Sequence, residues 1–378
     1  MSSGSSSTMP AEPLRVLALL PDLGGGGAQQ VMLRVLRDLP RERFVPELAV
    51  VRAEGPLRDA VPSDVPLHDL AARSVRWAGP ALRRLIRQQR PHVVFSTIYH
   101  TNLLVLLLRP FLPEGTRVVV REATLLGPAV ETGVIPGRLA WLHRALYRTA
   151  DVVVAQCDAM ARDLVGLGIP EQRVVTVLNP LDVDRLAAEA ASAKSPFVGR
   201  GPGPHIVAAG RLVHQKGFDR LLRAVPELRR KRSSAQVWIL GDDPGGRDSA
   251  AEELRSLQVS LGLEDCVHFV GYRSDVVAWL AHADLFVLSS RYEGLPNVLL
   301  EALACGCSVV ALEGEGGTRE VLERCGRGKR MVAELTWPEA WFFRAASFGA
   351  DLDCFRAERI LEDYARVLAG ERPEAPSS

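Results

Sequence analysis

Apolar residues in the first half of the chain gather into short runs rich in Val and Leu, at 15–20, 45–51, 92–96, 117–120, 151–156 and 174–178. Runs of this length and composition are expected to be buried strands. Between them lie segments with the amphipathic spacing of a helix, at 28–39, 81–89, 137–147 and 159–167. Regular alternation of strand and helix is the pattern of a doubly wound parallel sheet. After Pro180 the pattern breaks into small residues and glycines, 187–204, expected to link two domains. It then starts again, with strands expected at 205–209, 236–240, 266–270, 284–288 and 308–312 and helices at 218–230, 250–261, 274–282, 296–305 and 318–324. Two such domains facing each other leave a cleft at the carboxyl ends of both sets of strands, where parallel sheets bind ligands.

Composition supports two cores and excludes several classes. At 378 residues and 41.2 kDa the chain exceeds what one hydrophobic core usually serves. Hydrophobic residues at 47% and charged residues at 24% are the mix of a soluble globular protein, and a formal net charge of +1 selects no nucleic acid. The longest apolar run, 103–108, ends at Arg109 and Pro110, far short of a membrane span. Residues 1–10 are rich in Ser and Gly and lack the basic start and apolar stretch of a signal peptide, so a disordered tail is expected. Six cysteines at irregular spacing, with Cys305 and Cys307 nearest each other, give neither a metal pair nor a disulfide framework, so reduced thiols in the cytoplasm are expected.

Three stretches carry candidate chemistry. After the first strand comes Pro21-Asp22-Leu23-Gly24-Gly25-Gly26-Gly27-Ala28, whose glycines allow close backbone approach and leave amides free for an anion at a helix N-terminus. A flexible turn is the plainer reading. A dinucleotide fingerprint begun at Gly24 would need Gly or Ala where Gln29 stands, and no lysine follows to make a P-loop. In the second half, Gly210-Arg211-Leu212-Val213-His214-Gln215-Lys216-Gly217-Phe218-Asp219 places an arginine and a lysine on the loop after a strand, an arrangement suited to a diphosphate whose charge grows as it leaves. The chain has four lysines in all, so one retained at 216 is suggestive. Farther on, Glu293-Gly294-Leu295-Pro296-Asn297-Val298-Leu299-Leu300-Glu301 spans a strand-to-helix turn, with Glu293 on the loop and Glu301 about one turn inside the helix. Taken singly, these charges read as surface pairs and caps.

Together these stretches, with Asn179-Pro180-Leu181-Asp182 before the link, resemble the retaining glycosyltransferases of two-domain GT-B architecture known as glycosyltransferase family 4. The resemblance runs from Arg15 to about Glu323. It implies an α/β fold of two Rossmann-like, doubly wound parallel-sheet domains facing across a cleft: a tail at 1–13, an N-terminal domain on the acceptor side at 14–186, a link at 187–204, a C-terminal donor domain at 205–350, a helix crossing back at 351–370 and a tail at 371–378. By the same resemblance Glu301 would bond the ribose hydroxyls, Glu293 the donor sugar, and Arg211 with Lys216 the diphosphate. Backbone at Gly271, Tyr272 and Arg273 would read the base, while Gly294, Leu295 and Pro296 would lie beside the sugar and phosphate. The loop Gly24, Gly25, Gly26 and Gly27 would face them, and His100 falls where relatives keep a histidine near the reacting sugar. No metal and no cofactor are implied; the donor is a nucleotide sugar, with UDP-sugars first by family frequency, and the acceptor a glycan or a lipid-linked glycan. The pattern departs from the family at Gln29-Gln30 and across 325–350, which is irregular and rich in Trp and Phe.

Three rivals remain at this level. Asp182-Val183-Asp184 matches the metal-binding string of another glycosyltransferase fold, but it stands at the link, ahead of the phosphate features. A nucleotide-sugar epimerase shares the paired domains without the motif combination, and a nucleotide-sugar-binding or scaffolding subunit would keep the site without turnover. Finally, Arg73, Arg76, Arg83, Arg84, Arg87 and Arg90 crowd a stretch without acids, beside Trp77 and near 103–111. That composition suits docking on an anionic membrane surface at the cytoplasmic face, or a solvated helix face.

Overall fold

The computed structural model describes residues 12–133, 135, 137, 140–243, 245, 249–342 and 350–373. In the first domain the strands are β1 (Leu14–Leu20), β2 (Phe44–Val50), β3 (Leu67–Asp69), β4 (Val93–Thr97), β5 (Arg117–Arg121), β6 (Val152–Ala155) and β7 (Val174–Thr176). The helices between them are α1 (Gly27–Asp38), α2 (Gly79–Gln89), α3 (Tyr99–Leu108), α4 (Leu126–Glu131), α5 (Ala140–Tyr147) and α6 (Asp158–Gly166). All strand pairs are parallel, in the order β3-β2-β1-β4-β5-β6-β7. The Val and Leu side chains of the central strands β1, β4 and β5 are almost all buried, on both faces, as the unbroken apolar runs require.

After α7 (Val183–Ser192) the second domain follows with β8 (His205–Ala209), α8 (Phe218–Lys231), β9 (Gln236–Leu240), α9 (Ala251–Ser260), β10 (Val267–Gly271), α10 (Val276–His282) and β11 (Leu285–Leu288). It continues through β12 (Tyr292–Glu293), α11 (Asn297–Ala304), β13 (Val309–Leu312), β14 (Glu315–Gly316), α12 (Gly317–Arg324) and β15 (Met331–Val332). Its six-stranded parallel sheet has the order β10-β9-β8-β11-β13-β15, and β12 pairs with β14 outside it. The last helix, α13 (Ala357–Ala369), lies on the first domain: Arg121 Nε donates to the Tyr364 hydroxyl at 2.9 Å, and Arg43 pairs with Glu362 at 3.2 Å.

Strand order reverses between β1 and β4 in one sheet and between β8 and β11 in the other. Crevices outside the carboxyl ends of strands at such reversals are where open α/β sheets take ligands. The loop after β1 carries the four glycines and β4 leads to His100; the loop after β8 carries Arg211 and Lys216, and β11 leads to Glu293. The topology alone therefore gathers residues scattered along the sequence.

Several elements depart from the sequence expectation. The first part of the expected link, 187–192, is helical: Asp182 caps α7 by accepting from the Arg185 amide at 3.2 Å, and Val183, Leu186 and Ala190 are buried. Helix α3 carries no clear apolar period because most of it is apolar, and it starts after Ile98 in a left-handed backbone at φ +73°. Strand β3 is a three-residue edge, and β12 and β14 have two residues each, too short for a pattern. Within 325–350, β15 extends the sheet and Trp337 fills the second core, its Nε1 donating to the Ala224 carbonyl at 2.9 Å. Residues 343–349, also part of that stretch, lie outside the described residues, as do 138 and 139 at the expected start of α5.

Candidate active site

On the donor side two loops are knitted together. Arg291 forks onto Asp219 at 2.8 and 2.7 Å, Gln215 Nε2 donates to the Tyr292 carbonyl at 3.0 Å, and Ser289 Oγ donates to the Lys216 carbonyl at 2.9 Å. Gly217, at φ +62°, packs so tightly that a Cβ there would run into the Ser289 carbonyl. This scaffold sets Lys216 Nζ 2.6 Å from Glu293 Oε1, and Ser290 Oγ donates to the same oxygen at 2.6 Å. Glu293 is 6% exposed, so the pair is a short, largely dehydrated ion pair. Lys216 and Glu293 are thus direct partners here, an arrangement the motif spacing did not reveal. Arg211, five residues before Lys216 on the same loop, is exposed.

Glu301 stands one turn inside α11 and is half-buried. Burial pushes its carboxyl above the usual range, while Arg34 and Arg185 pull it back. Arg34 reaches this place from α1 of the facing domain and donates to the Pro180 carbonyl at 2.8 Å. At the turn after β10, the Gly271 carbonyl accepts from the Gly241 amide at 2.8 Å and the Tyr272 amide donates to Asp242 at 2.8 Å. The Arg273 guanidinium is forked onto Asp275 at 2.8 Å.

The facing wall comes close. Asp22 accepts from the Gly24 amide at 2.9 Å and from Gln29 Nε2 at 3.1 Å, folding the glycine loop. A Cβ on Gly25 would lie 2.8 Å from the Tyr272 ring, and one on Gly27 would lie 2.7 Å from Asn297 Nδ2. A side chain at either glycine would have to displace Tyr272 or Asn297 of the other domain, so the glycines let the two domains approach closely here, and Gly26 stands at the N-cap of α1. His100 sits on the first turn of α3, edge-on to Tyr99 at 5.0 Å. Burial pushes its pKa down, with Asp22 acting the other way, so the ring is neutral near pH 7.

Contacts across the cleft hold the domains together beside the site. Asn179 Nδ2 donates to Asn297 Oδ1 at 2.6 Å, Cys157 Sγ donates to the Gly294 carbonyl at 3.2 Å, and the Asp158 amide donates to Glu320 at 2.9 Å. Gly294 is pressed on Met160 and the Ala123 carbonyl, Leu295 is buried, and the Pro296 carbonyl accepts from the Leu299 amide at 3.0 Å to start α11. Behind Asn179 lies a buried polar network. Arg121 donates to Asn179, to Tyr364 and to Thr97, and Asn102 donates to Glu122 at 2.8 Å. Tyr147 also donates to Glu122, whose other oxygen is buried without a partner; burial pushes this carboxyl up to about 7. The sequence pattern gave no sign of Arg34 or of this network, since single polar residues within apolar strands and helices carry no periodic signal. Asn179 and Asn297 each stood within a motif, but nothing in the spacing marked them as partners.

The acidic string at the link is engaged structurally, with Asp182 capping α7 and Asp184 paired with Arg356 at 2.9 Å. No group of three metal-ligating side chains gathers among the described residues.

Two family profiles match the chain, Glycosyltransferase Family 4 over residues 25–185 and Glycosyl transferases group 1 over residues 203–346. The lipopolysaccharide core biosynthesis glycosyltransferase LpsE of Rhizobium meliloti is 31% identical over 252 residues, which cover 63% of this chain and 68% of that one. The chain belongs to this glycosyltransferase family. A Campylobacter jejuni N-acetylgalactosamine-N,N'-diacetylbacillosaminyl-diphospho-undecaprenol 4-alpha-N-acetylgalactosaminyltransferase is 26% identical over 313 residues, covering 79% of this chain and 80% of its own. Among solved structures, Anabaena HepE in complex with UDP-glucose superposes with a TM-score of 0.78 at 18% identity, over 94% of this chain and 99% of that one. WaaG, a glycosyltransferase involved in lipopolysaccharide biosynthesis, superposes with a TM-score of 0.65 at 16% identity, over 94% and 90%. These likenesses establish the two-domain GT-B fold.

Proposed function

We propose that this glycosyltransferase moves a sugar, with retention of anomeric configuration and without a metal ion, from a UDP-sugar to a glycan or lipid-linked acceptor in the synthesis of cell-surface polysaccharide or glycolipid. The observation that carries the reading is the buried Lys216–Glu293 pair, held on loops at the strand-order reversal and faced by the glycine loop of the other domain. A donor diphosphate offers Lys216 a second set of anionic oxygens, and Arg211 on the same loop adds a second cation. Charge that develops on the leaving phosphate is then met by groups fixed in advance. Glu301 receives the ribose hydroxyls, the backbone from Gly271 to Arg273 the base, and Gly294, Leu295 and Pro296 flank the sugar and phosphate.

Glu293 is bonded to Lys216 and Ser290, which suits it to hold sugar hydroxyls rather than to attack carbon. The acceptor hydroxyl passes its proton to the departing phosphate, on the face the phosphate leaves. His100, whose pKa burial pushes down, is assigned the hydrogen bond to the reacting sugar. The names of two relatives, lipopolysaccharide core in one and a diphospho-undecaprenol acceptor in the other, support an envelope glycan as acceptor. Such acceptors place the enzyme at the cytoplasmic face of a membrane, and the arginines between 73 and 90, with exposed Trp77, suit that surface.

A panel of nucleotide sugars tests the donor assignment. UDP-sugars are expected to raise the melting temperature and to be slowly hydrolysed or transferred. Stabilisation by GDP-sugars alone would reassign the base, and saturable binding without turnover would make the chain a binding subunit.

A further inference from the structure

A concavity lies at the amino ends of β1, β4 and β5, the opposite end of the first sheet from the cleft, and has no role in the transfer proposed above. It encloses about 750 Å³, and its lining includes Arg15, Arg87, Arg90, His92, Phe111 and Glu114. Arg83 and Arg87 lie one turn apart on α2, and Arg90 caps that helix in a left-handed backbone at φ +45°, a conformation Gly or Asn usually takes. Strain of this kind persists where the surroundings enforce it. Here the Arg90 carbonyl takes two hydrogen bonds from the Arg15 guanidinium, at 3.2 and 2.9 Å. His92 Nδ1 accepts from the Arg15 amide at 2.9 Å, which leaves Nε2 as the donor of the neutral ring.

Among the described residues, ion pairs are few along this basic stretch. Between Asp69 and Glu114 the sequence holds Arg73, Arg76, Arg83, Arg84, Arg87, Arg90 and Arg109 and no acid, and of these Arg109 is paired, with Asp151 at 2.6 Å. Glu114, the acid of the lining, is exposed. Arg83 Nε is buried without an acceptor, and its guanidinium lies over the Phe111 ring at 4.6 Å. Phe111 is part of the basic lining, and three large apolar side chains on the elements around α2, Phe111, Leu107 and Trp77, are 52%, 51% and 64% exposed. Arg76 lies over the Trp77 ring at 5.6 Å at the other end of α2.

We infer that this concavity is a phosphate-binding pocket that seats the headgroup of an anionic phospholipid, while Phe111, Leu107 and Trp77 enter the interfacial layer beside it. The inference rests on the membrane-face reading above and gives it a site. A free phosphate would satisfy Arg15, Arg87 and Arg90 but leaves three large apolar side chains in water; a lipid surface satisfies both.

Flotation of the full chain with vesicles of phosphatidylcholine, alone or mixed with phosphatidylglycerol, tests this. Wild type is expected to float with the mixed vesicles only. Replacing two arginines, as Arg87→Ser with Arg90→Ser, is expected to lower that affinity about 30-fold at low salt. A charge-matched control on the far domain, Arg230→Ser with Arg255→Ser, is expected to float like wild type. Equal losses in both double variants would reduce the effect to net charge and overturn the pocket, as would a wild type that ignores the vesicles. Inorganic phosphate separates the sources: a melting shift abolished by the Arg87/Arg90 changes, without flotation, would make the ligand a soluble phosphate and overturn the lipid assignment. Melting temperatures of the variants in buffer check their folding, and donor turnover without vesicles is read separately, so failure of the pocket and failure of the transferase reading are distinct results.

Discussion

Lys216 and Glu293 share one short bond in a nearly dry site, so they are expected to respond differently to substitution. On the proposed reaction Lys216→Ala would remove a preorganised charge at the leaving phosphate and is expected to cut kcat/KM about 100-fold or more, with Arg211→Ala in the same direction. Glu293→Gln is expected to impair sugar transfer while leaving UDP affinity nearly intact, whereas Glu301→Gln is expected to weaken UDP itself; titration calorimetry with UDP separates the two. Near-normal turnover in both the Lys216 and Arg211 variants would remove them from the reaction. A second residue effect concerns stability. The Glu122 carboxyl titrates near 7 in the fold against 4.5 in the open chain, so the folded state holds a proton that the unfolded state gives up earlier. Stability is therefore expected to be unaffected by this group below about pH 4.5, to fall by about 3 kcal/mol as pH rises to about 7, and to level off above. Glu122→Gln is expected to flatten that part of the profile in urea unfolding, and parallel curves for the two proteins would refute it.

Among the elements, α11 and the loop before it carry the most consequence. Asn297 at its start bonds Asn179 across the domains, and Asn297→Ala is expected to loosen closure by about 1 kcal/mol, raising KM for the donor several-fold with a smaller change in kcat. Steady-state kinetics with varied donor measures that split. Gly217→Ala would force a Cβ into the Ser289 carbonyl at positive φ, and is expected to displace Lys216 and lower activity at least tenfold. Much of this scale was legible in the sequence. Strands β8 and β9 fall at the expected residues, because apolar runs flanked by glycine and turn residues leave little choice. Helix α7 was lost because its buried face is built partly from alanine among small residues that read as a link, and α3 because uniform apolarity leaves no distinct helix face. The candidate site residues stood out as motifs, but their pairing did not: the Lys216–Glu293 bond and the approach of Arg34 to Glu301 depend on which loops the strand order brings together.

At the level of the whole molecule, two sheets close over one site, with α13 from the end of the chain braced on the first domain through Tyr364 and Arg121. Charge neutralisation assigned to Arg211, Lys216 and the N-terminus of α1 makes the proposed reaction indifferent to divalent metal. The most direct measurement follows the anomeric proton of the product by NMR while isotope-labelled UDP-sugar is consumed by the purified protein in EDTA. Transfer or hydrolysis with the donor's α configuration kept in the first-formed product is expected. A β-configured first product, or activity lost in EDTA and restored by manganese, would contradict it.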